Sequence, residues 1–167
     1  MKRAALALAV ALLAAGCGSS TAPTPVNPTF TMQLSPAVET PPITNSESVA
    51  SGSVTITFVT TKDASGNITS ATATAVVNLQ GFPAGSTIVA SHIHAGGAGV
   101  KGAVLIPFPP PAVTLTGGSG TYTATATPAP TADQVTNILA NSNQYYFNVH
   151  SALNPGGVIR SQLIRTQ

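Results

Sequence analysis

From residue 53 onward the chain alternates between apolar and polar positions. Residues 53–59 place Val54, Ile56 and Phe58 on one face and serine and threonine hydroxyls on the other, the two-residue period of a half-buried strand. The cluster Lys62, Asp63, Ala64, Ser65, Gly66 and Asn67 is turn chemistry. Residues 68–79 then resume the alternation, with Ala71, Ala73 and Ala75 on one side and Thr72, Thr74 and Val76 on the other. Together they predict a hairpin. Residues 87–94, 103–106, 121–127, 144–151 and 157–163 read as further strands, separated by glycine, proline and asparagine breaks. One helix is predicted near 131–141. Thr131 and Gln134 have capping-box spacing, and Val135, Ile138 and Leu139 share a helical face. Short strands at intervals of about 8–12 residues, without strand–helix alternation, predict an all-β antiparallel sandwich.

The first residues have a different pattern. Lys2 and Arg3 precede an unbroken apolar run at 4–15, then Gly16 and Cys17. A positive start, a short apolar stretch and small residues before the next segment are the marks of an export signal, too short to span a bilayer comfortably. This stretch resembles a bacterial lipoprotein signal, whose motif ends in a small residue and the cysteine that is acylated. The position where leucine is usual holds Ala14, with Leu13 one residue earlier. The expected organisation is therefore a signal peptide at 1–16, a lipidated Cys17 opening a flexible tether at 17–29, and one folded domain at 30–167. The tether, rich in proline and small polar residues, has little apolar surface to bury. The partner implied is a lipid bilayer, reached through acyl chains on Cys17. The location implied is the bacterial cell envelope. Gly18 follows the cysteine rather than the aspartate typical of inner-membrane retention, which favours the outer membrane where the organism has one.

Charge narrows the function classes. Charged residues make up 6% of the chain. With the signal removed, Lys62, Lys101, Arg160 and Arg165 balance Glu39, Glu47, Asp63 and Asp133. No basic run exists, so nucleic-acid binding has no electrostatic support. Cys17 is the single cysteine, so no disulfide within the chain can staple the domain. No serine sits in a G-x-S-x-G elbow, and no carboxylate pair has spacing suited to glycoside hydrolysis.

The chemistry that remains is concentrated in three histidines. His92 and His94 are two residues apart in a predicted strand, so both rings project from one face, about 6.5–7 Å apart. His150 lies in another predicted strand. Three neutral imidazoles can hold copper, zinc, iron or nickel, and three protein ligands with an open position describe many catalytic zinc sites. Glu39 or Asn148 would then orient the rings. The alternative is a structural cluster, with the histidines bonded across strands. Glu39 and Arg160 admit a similar pair of readings, as ligand contacts or as a structural ion pair.

Three motifs in order identify a family. Residues 32–42, Met-Gln-Leu-Ser-Pro-Ala-Val-Glu-Thr-Pro-Pro, resemble the opening "L-x-G-x-x-E-x-P-P" of the chordin-type domain, CHRD. Residues 91–96, Ser-His-Ile-His-Ala-Gly, resemble its "A-H-I-H-x-G". Residues 146–163, containing Asn148-Val149-His150-Ser151 and Pro155-Gly156-Gly157-Val158-Ile159-Arg160, resemble its closing "Y-V-N-V-H-T-x-x-x-P-x-G-E-I-R-G-Q-L". Pro36, Val158 and Ser161 depart from that pattern, and Val158 removes a carboxylate. A weaker likeness links residues 79–85 and His92-Ile93-His94 to the copper-binding strand of Cu/Zn superoxide dismutase. That enzyme's bridging histidine, zinc site and disulfide are missing, which argues against a complete dismutase.

The resemblance implies an immunoglobulin-like or dismutase-like β-sandwich acting as a binding module. Two functions follow as expectations. One is a non-catalytic binding or structural module for an unknown protein or small ligand, with no cofactor. The other is a copper- or zinc-binding protein using His92, His94 and His150, open to redox chemistry.

Overall fold

The computed structural model describes residues 27–167. The expected signal peptide, Cys17 and most of the tether lie outside the described residues. The described chain is a two-layer antiparallel sandwich with one short helix, as the alternation predicts. The first sheet has the order β1 (Thr29–Leu34), β2 (Ser51–Lys62), β3 (Ile68–Gln80) and β7 (Gly120–Thr125). The second has the order β5 (Val104–Pro107), β4 (Ser86–Ala95), β8 (Tyr145–Ser151) and β9 (Ile159–Gln162), with β6 (Val113–Leu115) also paired to β4.

Strict alternation builds the first sheet. Val54, Ile56 and Phe58 of β2 and Ala73, Ala75 and Val77 of β3 are buried, and the intervening hydroxyl-rich positions face outward. The β2–β3 hairpin turns at the cluster expected, where Asp63 accepts from the backbone of Ser65 and Asn67. Alanines on the inner face of β3 leave space for α1 (Ala132–Ala140), which packs against that strand and buries Val135 and Ile138. Its capping box is complete: Gln134 N–H donates to Thr131 Oγ1, and Thr131 N–H donates to Gln134 Oε1. Phe147, Val149 and Ile159 close the core from the second sheet, all fully buried.

Two elements go beyond the strands the pattern gave. β6 is three residues long, between prolines and glycines, too short for periodicity to register. β1 carries the first family motif, and it is held on both edges. It pairs with β2 on one side. On the other, Thr29, Thr31 and Ser35 exchange backbone hydrogen bonds with residues 160–167. Among the described residues, no helix is long and apolar enough to cross a membrane.

β4 carries a register shift between Ile88 and Ala90 against β8. Such a bulge changes which face successive side chains occupy. Ile88 points into the core, and after the slip Ser91 and Ile93 take over the core face. His92 and His94 are thereby turned to the outer face of the second sheet. Loops formed by residues 38–45, 96–102 and 153–157 fold back over that face.

Candidate metal centre

The outer face of the second sheet presents His92 and His94 from β4, Tyr146, Asn148 and His150 from β8, and Arg160 from β9. Asn148 lies opposite both His92 and Arg160 in the ladder, and Tyr146 lies opposite His94. One ligand nitrogen from each of His92, His94 and His150 lies within 4.8 Å of the other two. Three atoms so spaced surround a point under about 3 Å from each, against zinc–nitrogen bonds of about 2.0–2.1 Å.

The partners of the rings fix their tautomers. His94 Nδ1 lies 3.1 Å from the Gly102 carbonyl oxygen, and His150 Nδ1 lies 3.0 Å from that of Pro155. A carbonyl only accepts, so in the neutral ring each Nδ1 carries the proton and each Nε2 carries a lone pair. His150 Nε2 receives the Nδ1–H of His92 at 3.1 Å. His94 Nε2 is buried and has no hydrogen-bond partner. An orphaned buried acceptor costs about 1–3 kcal/mol, a penalty that a bound ion would remove.

All three rings are held below the ordinary histidine range, chiefly by burial. For His92 the depression reaches about 4, with contributions from His150 and His94 after burial. For His94 and His150 the carbonyl hydrogen bonds oppose the shift, while positive neighbours, Arg160 for His94 and Lys101 for His150, add to it. Neutral rings at neutral pH are ligands with available lone pairs.

Orientation of the rings falls to backbone groups rather than to Glu39 or Asn148. Glu39 Oε1 and Asn148 Oδ1 are buried without partners. Both crowd the position a side chain at residue 157 would occupy, so Gly157, with φ +126°, is required there. Arg160 does not spend its guanidinium on Glu39. It donates from Nε to the Val38 carbonyl at 2.7 Å, from Nη1 to the Val100 carbonyl at 3.1 Å, and from Nη2 to Thr40 Oγ1 at 3.0 Å. Two carbonyls and the Thr40 hydroxyl take three of its five donors, and Glu39 is left within electrostatic reach.

Several participants carry no sequence signature as site residues. Tyr146 stacks on His94 at 4.8 Å between centroids and 5° between planes. Its other contact is the Arg160 guanidinium, 4.4 Å from the ring centroid. The Gly102 N–H donates to Tyr146 Oη at 3.1 Å, so one residue holds both the tyrosine and His94. Glu47 is buried and accepts from the Ser151 hydroxyl and from the Asn154 amide, which secures the loop carrying the Pro155 carbonyl.

Glu39 lines two neighbouring cavities, of about 450 and 280 Å³. Burial pushes its carboxyl up to about 7, against the opposing pull of Arg160, a Thr40 backbone hydrogen bond and Lys101. A carboxyl whose folded value exceeds its unfolded value near 4.5 holds its proton more tightly when folded. Stability is then lost as pH rises from about 4.5 through about 7. Glu39→Gln removes that loss. The variant is expected to match the parent near pH 4.5 and to exceed it by about 3 kcal/mol at pH 8. Urea unfolding of both at the two pH values checks this, and parallel pH profiles would refute it.

A family model described as CHRD domain matches residues 30–163, most of the chain. Comparison with curated proteins found no match, and neither did comparison with solved structures.

Proposed function

This chain belongs to the CHRD domain family, and on that premise we propose that it is a lipid-anchored, extracytoplasmic binding protein whose domain holds a copper or zinc ion. Cys17 is the anchor, the segment up to residue 29 is the tether, and the envelope is the location. His92, His94 and His150 are the ligands. Two observations carry the metal reading together: one nitrogen from each of the three histidines lies within 4.8 Å of the others, and the buried Nε2 of His94 has no hydrogen-bond partner. In a tetrahedral zinc site ligand nitrogens lie about 3.3 Å apart, close to the 3.1 Å between His92 Nδ1 and His150 Nε2. For His92 to offer Nδ1 to an ion, the single proton of its neutral ring would move from Nδ1 to Nε2, and both nitrogens of the pair would then present lone pairs. His94 would supply the third nitrogen. The role proposed for the centre is binding.

The His92–His150 hydrogen bond itself favours a second reading, in which the trio is a structural pin between β4 and β8. Metal analysis separates the two. The full chain, purified in detergent and dialysed against copper or zinc, is expected to retain one equivalent. The His92→Ala, His150→Ala variant is expected to retain none. Equal, substoichiometric metal in both would leave the structural pin as the function of the trio.

A further inference from the structure

The charges around the histidines bear on which ion they hold. The three ligands are neutral imidazoles, and no carboxylate or thiolate is among them. Arg160 is 3% exposed, and its guanidinium donates to neutral oxygens of Val38, Val100 and Thr40. It lies over one face of Tyr146, whose other face lies on His94, so a fixed positive charge stands one ring away from a ligand. Lys101 precedes Gly102, whose carbonyl holds His94, and it lines one cavity with Glu39 and with Pro155, whose carbonyl holds His150. Glu39, the carboxyl coupled to Arg160, is pushed up to about 7 by burial and cancels that field only in part at neutral pH.

From this arrangement we infer that the three-histidine centre selects monovalent copper, Cu(I), over divalent ions, an inference that rests on the metal reading above. The cost of transferring an ion from water into a half-buried site grows with the square of its charge. Repulsion from Arg160 and Lys101 grows linearly with that charge. Both terms penalise a dication more than a monocation, and no anionic ligand compensates. Three imidazoles around one point also suit the three-coordinate geometry that Cu(I) accepts without a fourth ligand, whereas zinc favours four.

The test uses the full chain in detergent, without oxygen. Copper kept reduced by ascorbate is competed against bicinchoninate, and zinc against a chromophoric zinc chelator. Cu(I) is expected to bind at least about tenfold more tightly than zinc. Lys101→Glu, at an exposed position, is expected to narrow that preference about threefold to tenfold at low salt. Arg160→Gln is expected to act in the same direction, with circular dichroism confirming that each variant is folded. Zinc held as tightly as Cu(I), or a preference unchanged in folded Lys101→Glu, would overturn the selection while leaving the metal site standing. Binding of neither ion would overturn the metal reading and this inference with it.

Discussion

Gly102→Ala is expected to lose metal retention altogether and to cost about 3 kcal/mol or more of stability. A Cβ at position 102 would overlap the Ala95 carbonyl oxygen, a backbone atom at the end of β4 that cannot rotate away. The only relief is displacement of the 96–102 loop. That displacement withdraws the Gly102 carbonyl from His94 Nδ1 and the Gly102 N–H from Tyr146 Oη. The His94 tautomer is then no longer imposed, and the stack of Arg160, Tyr146 and His94 loses its clamp. The Val100 carbonyl, an acceptor for Arg160, moves with the same loop. Urea unfolding and metal stoichiometry on the variant check both effects. A variant with parental stability and a full equivalent of metal would disprove the role given to this residue.

Cys17→Ser is expected to move the protein from the membrane fraction to the soluble fraction. Acyl chains contribute about 0.8 kcal/mol per buried methylene, so their loss removes well over 10 kcal/mol of membrane affinity. The described residues contain no membrane-crossing helix, and the charges of the domain supply no basic patch for anionic lipid. The variant is also expected to lack the mass increment of acylation. Unchanged fractionation, with unchanged mass, would reject Cys17 as the anchor.

Much of the sandwich was legible because its signals are local. Val54, Ile56 and Phe58 repeat strictly every two residues, and each is fully buried. The helix announced itself through Thr131 and Gln134, whose capping requires neighbours along the chain alone. β4 was harder. Ile88, Ala90, His92 and His94 share one phase, so period alone places Ile88 on the histidine face. The slip at Ile88/Ala90 separates them, and it is a property of the pairing with β8 rather than of β4 itself. The centre divides the same way. The three histidines are visible as residue types, but the Gly102 and Pro155 carbonyls that orient them are backbone groups, which any residue supplies. Opposite charges made Glu39 and Arg160 look like partners. The fold instead gives the guanidinium to carbonyls of two loops that sequence cannot place beside it.

The double pairing of β1 has a mechanical consequence. A pull applied at Thr29, where the proposed tether would join the domain, runs along a strand bonded to β2 on one edge and to residues 160–167 on the other. Such a load shears two rows of hydrogen bonds together instead of peeling one bond at a time. Because the second row includes Ser35 and Arg160, force strong enough to slide β1 would reach the floor of the histidine centre before the rest of the sandwich gave way.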